Sequence, residues 1–133
     1  MLTVSIFQYQ LTLTPIARDG EVELSPTPTL TPLRGRLTEE QIMAVLKTAE
    51  WPFALRDEAV TVSWGESGWN TDAIGDSGNA LGLFQLWPVW REYCEISTEQ
   101  ALEAVTNAFC AWKVYRYDLA TGQDGWAQWT VKP

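Results

Sequence analysis

The run Val60-Thr-Val-Ser-Trp-Gly-Glu-Ser-Gly-Trp69, continued through Asn70 to Pro88, limits what this chain can fold into more than any other stretch. Leu55, Ala59, Val62 and Glu66 recur at i, i+4, i+7 and i+11, so a helix here carries all four on one face, with the acid last in line. Beyond it lie Gly68, Gly75, Gly78 and Gly82, interleaved with Asn70, Asp72, Asp76 and Asn79. Helix cannot continue through that composition; turns and a small β-hairpin can. A glutamate at the negative end of a helix dipole, next to an apolar stripe, is unfavourable on both counts. It is also how a protein keeps a proton donor loaded near neutral pH. The other reading of Glu66 is a solvated residue that decorates a helix end.

Elimination points the same way. The chain has no histidine, which removes serine–histidine and cysteine–histidine nucleophilic sites and imidazole-dependent zinc sites. Its two cysteines cannot fill a thiolate cage. Carboxylate acid–base chemistry remains. A net charge of −8 argues against a nucleic-acid partner, whose phosphates need basic patches. The same charge gives no long-range steering toward an anionic surface, so recognition of one would fall to uncharged contacts or to a partner module. No apolar run approaches the about 20 residues of a membrane span. Residues 1–14 lack a basic segment followed by a continuous apolar one, so no signal peptide is read there.

Glu66-Ser67-Gly68-Trp69-Asn70, then Ala73-Ile74-Gly75-Asp76-Ser77-Gly78-Asn79, then Gly82-Leu83-Phe84-Gln85-Leu86 resembles the signature of soluble lytic transglycosylase and goose-type lysozyme-like domains. In that family a Glu-Ser pair precedes an aromatic-Asn-Pro-x-Ala segment and a Gly-Leu-Met-Gln-Ile motif. Asn107-Ala108 is similar to an Asn-Ile/Ala pair in a later helix, and Gly125-Trp126-Ala-Gln-Trp129 to the close of the short, phage-associated members. Thr71 replaces the family proline and Phe84 the methionine, and the Tyr-Asn pair of many transglycosylases has no counterpart. The resemblance implies an α+β, mainly α, lysozyme-like fold with a small β-hairpin beside the catalytic helix. It implies a peptidoglycan-cleaving glycosidase acting on the β-1,4 bond between N-acetylmuramic acid and N-acetylglucosamine, with Glu66 as general acid and base and with no metal or organic cofactor. Whether water or an internal hydroxyl accepts the sugar stays open. The alternative is a non-catalytic wall-binding or virion-structural module that keeps the fold. Either role places the protein outside the cell, at the wall or on a virion, with peptidoglycan glycan strands as partner.

Further site residues follow. Ser67 and Gln85 match family positions near the acid and the substrate; the competing roles are backbone satisfaction at the turn for Ser67 and helix capping for Gln85. Asp72, Asp76 and, less well placed, Glu92 are the candidates for a second carboxylate, although aspartates in such a segment are more often turn residues. The missing Cβ of Gly82 would let backbone approach sugar. Among eight tryptophans, Trp64 and Trp112 fall on helices and are expected in the core. Trp69, Trp87, Trp90, Trp126 and Trp129 flank the expected cleft, where an indole offers a flat apolar face and an N–H to a pyranose. Trp69, Trp126 and Trp129 are the leading sugar contacts, with Asp76 beside them.

At 133 residues the chain suits one domain, expected over residues 37–133. Residues 1–36 differ in texture: alternation from Val4 to Leu13, a turn at Asp19-Gly20 and a short Glu21–Leu24 run suggest a hairpin or strap. Ser25 to Pro32 reads as a semi-extended Pro-Thr linker. This arm either docks to a larger assembly or packs on its own domain. Capping boxes at Thr38–Gln41 and Ser97–Gln100 open two helices, the second running to about Leu119 with Ala101, Val105, Ala108, Trp112, Tyr115 and Leu119 inward. A straight helix from Thr98 carries residue 110 about 18 Å along its axis. Cys94 and Cys110 are therefore expected unpaired, since a bridge needs Cα atoms within about 7 Å.

Overall fold

The computed structural model describes residues 7–18 and 21–133, with residues 7–18 and 21–31 described as backbone alone. It is mainly helical, with one long and one very short antiparallel strand pair. Strands β1 (Phe7–Arg18) and β2 (Glu21–Pro32) form a ribbon paired from Arg18↔Glu21 to Phe7↔Pro32. The segment expected as a Pro-Thr linker is thus the second half of β2. Pro15, Pro26, Pro28 and Pro32 all fall on the same alternate set of pairs. Only the non-hydrogen-bonded set, whose N–H groups face away from the partner strand, accepts prolines without losing ladder bonds. That parity makes a proline-rich run compatible with a strand. Asp19-Gly20, expected to turn the ribbon, lies outside the described residues.

From Leu33 onward the chain belongs to the helical body. Leu33 and Leu37 are buried, and Leu37 N–H donates to the Trp69 carbonyl at 2.9 Å. Thr71 N–H donates to the Gly35 carbonyl at 2.9 Å, and the buried Thr71 hydroxyl accepts from Gly35 N–H at 2.8 Å. Thr71, at the family's proline position, is therefore a built-in partner for the incoming segment. Helix α1 (Glu39–Thr48) starts at the expected Thr38 capping box and buries Ile42, Val45 and Leu46. Helix α2 (Phe53–Ser67) follows Pro52 and buries Ala59 and Val62, with Leu55 packed against the same core.

Trp51, between these helices, is fully buried and organises the core. Its indole stacks between Phe84 (centroids 5.7 Å, interplanar 14°) and Trp126 (5.3 Å, 7°). Trp112 and Tyr115 close its edge. Its Nε1 donates to the Ala108 carbonyl at 2.8 Å, so the polar end of the ring is satisfied as well. The core is thereby drawn from the helix junction, the glycine-rich segment, the long C-terminal helix and the tail beyond it.

Helices α3 (Pro88–Tyr93), α4 (Thr98–Ala101) and α5 (Ala104–Ala120) complete the body. The single long helix expected from Thr98 is broken at Leu102–Glu103. The buried stripe of α5 includes Asn107, Ala111, Val114 and Asp118, while Leu119, expected inside, is 52% exposed. Two polar residues lie in the buried stripe, and a pattern built from apolar positions misplaces its centre. Asp118 accepts from Gln128 Nε2 at 2.9 Å. Asp118 Oδ2 and Trp126 Nε1 are buried without a hydrogen-bond partner among the described residues.

The break also corrects the cysteine reading. Cys94 ends α3, the chain reverses through Glu95 and α4, and α5 passes back across α3. Cys94 and Cys110 then lie with Cα atoms 5.7 Å apart and form a disulfide. A straight helix from Thr98 would have kept them apart. Closing a loop of this length is worth about 3 kcal/mol through the unfolded chain. Reduction, or joint Cys94→Ser and Cys110→Ser substitution, is expected to lower the unfolding free energy by about that amount in urea titration.

Candidate active site

Glu66 occupies the last turn of α2, at the end of the Ala59–Val62 stripe as its spacing requires. It is half-buried rather than sealed in the core. Its Oε1 accepts the main-chain N–H of Val131 at 3.1 Å, so the C-terminal tail meets the end of this helix. Gly68, at φ 60°, ends the helix in the left-handed region and donates to the Trp64 carbonyl at 2.7 Å. Arg36 donates to the Gly68 carbonyl at 3.1 Å, supplying a cation where the dipole is negative. Ser67 donates its hydroxyl to the Ser63 carbonyl at 3.0 Å, the backbone-satisfying role of the two considered.

A partly exposed aromatic pair lies on another face of the same helix. Trp64, expected in the core, is instead 51% exposed. Trp69 meets it edge-on at 4.7 Å and donates Nε1 to the Val60 carbonyl at 3.2 Å. The Arg36 guanidinium lies 5.8 Å from the Trp64 ring centroid. Position 64 precedes the acid by two residues, off the Ala59–Val62 face, which is why this indole points outward.

The glycine-rich segment folds as the small hairpin its composition suggests. Strands β3 (Ile74–Gly75) and β4 (Ala80–Leu81) pair antiparallel around a tight turn at Asp76–Gly78. Asp76 is exposed, with φ 47°, at the start of that turn. Asp72 lies 3.0 Å from Arg34, an ion pair by distance rather than an aligned hydrogen bond. Its N–H donates to Asn70 Oδ1, the side-chain turn expected of such residues. Glu92 is exposed on α3.

Gln85 and Gly82 hold this segment together. Gln85 Nε2 donates to the carbonyls of Ala73 (3.1 Å) and Gly82 (3.0 Å), so the amide expected to reach the acid or a sugar ties two turns to each other. A Cβ on Gly82 would stand 2.3 Å from Asn107 Nδ2 and 2.4 Å from the Ala101 carbonyl. What the missing Cβ admits is therefore Asn107. That buried amide accepts from Phe84 N–H at 2.9 Å and donates to the carbonyls of Leu81 (3.0 Å) and Ala101 (2.8 Å). Arg91 adds bonds to the carbonyls of Asn79 and Leu86, and burial pushes its pKa down from the ordinary guanidinium value.

Trp126 and Trp129 do not line a cleft. They are 3% and 5% exposed, packed edge to face, with Trp126 on Trp51 and Trp129 Nε1 donating to the Phe84 carbonyl at 2.9 Å. As sugar contacts both are corrected to core residues: large rings after a glycine turn find more apolar partners inside than at the surface. The residues that spacing alone missed are Arg36 and Val131, each from a distant segment with no periodicity to announce it.

Among the described residues no cluster of acidic or thiol side chains suits a metal ion, and no helix is long and apolar enough to cross a membrane. Comparison with known proteins finds no matching family model and no matching curated relative.

Asn107→Ala would take the side-chain partner from the Phe84 N–H and from the Ala101 carbonyl in the interior, and would leave the Leu81 carbonyl with the Leu86 N–H alone. Each such loss costs roughly 1–3 kcal/mol. The variant is expected to lose about 3 kcal/mol in denaturant unfolding, whereas exposed Asp76→Asn should change stability by less than about 0.5 kcal/mol.

Proposed function

We propose that the chain is a lysozyme-like, peptidoglycan-cleaving glycosidase whose general acid and base is Glu66. The observation that carries this reading is the position of that carboxylate. It is half-buried at the end of an apolar helix face, pinned through one oxygen, and followed directly by a folded glycine-rich segment. The ordered motif from Glu66 through Leu86 supports the same reading, as does the absence of histidine from the chain, which leaves carboxylates to carry acid–base work. Trp64 and Trp69 supply the aromatic surface on which a pyranose stacks, replacing Trp126 and Trp129 in that role.

In this mechanism Glu66 donates a proton to the oxygen between N-acetylmuramic acid and N-acetylglucosamine as the C1–O bond breaks. It then takes a proton from the incoming hydroxyl. Asp72 is engaged by Arg34 and Asp76 is exposed at a turn, so neither is favoured as a base for water. That favours the muramyl 6-hydroxyl as nucleophile and 1,6-anhydro ends. Mass spectrometry of released muropeptides is expected to find those ends in excess; mostly hydrated reducing ends would make Asp72→Asn and Asp76→Asn the next variants. Carboxylate chemistry of this kind calls for no metal or organic cofactor, and the substrate places the protein at a cell wall, outside the cell or on a virion. The net charge of −8 and the missing Tyr-Asn pair favour a second reading, a wall-binding or virion-structural module without turnover.

Glu66→Gln separates the two. Glutamine keeps an Oε1 that accepts the Val131 N–H, so the fold and melting temperature should hold while the proton donor is lost. Clearing of a wall suspension is expected to slow by about 100-fold or more. Retained clearing would remove Glu66 from the mechanism, and a wild-type protein that binds walls without clearing them would establish the non-catalytic reading.

A further inference from the structure

Helix α2 carries a glycine at position 65, inside its last turn and next to the acid. Glycine in a helix interior costs about 1 kcal/mol relative to alanine, and Gly65 is not among the residues with positive φ that would call for it. Its reason is steric: a Cβ there would stand 2.4 Å from Val131 Cγ1 and 2.8 Å from Cγ2. The helix forgoes a side chain so that the tail can lie against it. The tail is held on both sides of that contact. Trp129 is buried with its Nε1 on the Phe84 carbonyl, and Lys132 Nζ donates to the Trp126 carbonyl at 2.6 Å. Between these anchors the Val131 N–H reaches Glu66 Oε1 at 3.1 Å.

We infer that the main-chain N–H of Val131 is a positioning group for Glu66, which makes Oε2 the oxygen that carries and transfers the proton. The inference rests on the glycosidase reading of Glu66. An oxygen that accepts an N–H bond serves as the carbonyl-type oxygen of a carboxylic acid, so the acidic proton resides on the other. When that proton passes from Oε2 to the glycosidic oxygen, which leaves with the electron pair of the C1–O bond, negative charge develops on the carboxylate. The N–H···Oε1 bond becomes charge-assisted at that moment and strengthens. A bond stronger in the transition state than in the bound substrate raises kcat and leaves substrate affinity alone.

The test measures kcat and KM on a soluble glycan fragment for wild type, Glu66→Gln, Val131→Ala, Val131→Pro and Gly65→Ala. Alanine at 131 keeps the N–H and proline removes it. The kcat of V131P is expected to fall about 10-fold or more below that of V131A, the scale of one hydrogen bond to a charged group, with KM within about two-fold. Equal kcat for the two Val131 variants overturns the inference, as does a loss confined to KM. Should V131P fail to fold, G65A decides: its Cβ displaces the tail while favouring helix, and its kcat is expected to drop with KM unchanged. Wild-type kcat in G65A overturns the inference. An active Glu66→Gln would instead remove Glu66 as the acid, and a wild type without turnover would remove the glycosidase reading itself, whatever the Val131 variants do.

Discussion

The stack of Phe84, Trp51 and Trp126 is the contact on which the rest of the molecule depends. Three rings lie face to face, each from a segment that could not fold alone: a helix junction, a glycine-rich loop and a tail without regular structure. Burying rings of this size removes roughly 150–250 Å² each from water, and offset stacking adds to that gain. Because the Trp51 N–H is committed to Ala108 in α5, the stack has a fixed orientation as well as a fixed place. Orientation matters here. Phe84 sits one residue from Gln85, and Trp126 leads within five residues to Val131, so the core sets where the glycine-rich segment and the tail that meets Glu66 begin.

Asn107 converts that core into a rigid neighbourhood for the acid. A two-residue strand pair is marginal in water, and the glycines around it add conformational entropy to be lost. The Asn107 side chain offsets this by pinning Leu81 and Phe84, and by holding the Ala101 carbonyl where α4 ends. Gly82 is the necessary counterpart, since any side chain there would occupy the space of the amide. Gln85 then ties the segment internally. A buried amide with its donors and acceptor paired specifies one geometry, whereas an apolar contact in its place would tolerate sliding.

Features that depend on neighbours in sequence were legible. The Thr38 and Ser97 capping boxes, the Leu55–Glu66 stripe and the small hairpin between Gly75 and Ala80 arise from local hydrogen bonding and periodicity, and the structure has them where spacing puts them. The misread features are set from afar. Leu102–Glu103 contains no helix breaker, yet the chain breaks there while the Asn107 amide claims the Ala101 carbonyl; the disulfide follows from that redirection. Apolar periodicity took Leu119 as inward because it cannot count Asn107 and Asp118 as buried. It likewise sent Trp64 to the core and left Trp126 and Trp129 outside, since it knows a ring's hydrophobicity and not its partners. For the candidate site, the place of Glu66 at the end of the helix stripe was readable, and Gly65 held a clue, as a helical glycine with no local justification.

The cations of this acidic chain bear on how a wall glycan would be held. Arg34 faces Asp72, Arg36 caps the Gly68 carbonyl, and Arg91 is shared between the carbonyls of Asn79 and Leu86. All three fasten segments around the candidate site rather than standing free for a partner, and the Arg34 charge is matched by a carboxylate. With a net charge of −8, long-range fields do not favour approach to an anionic surface. Binding energy on the proposed reading must then come from short-range contacts, for which the exposed Trp64 face beside Trp69 is one candidate surface. Arg36 over that ring polarises the indole and rigidifies it rather than seeking a phosphate or carboxylate of its own. A surface built this way reads the flat apolar faces and hydroxyl edges of a sugar at contact distance, and its affinity should be nearly indifferent to salt.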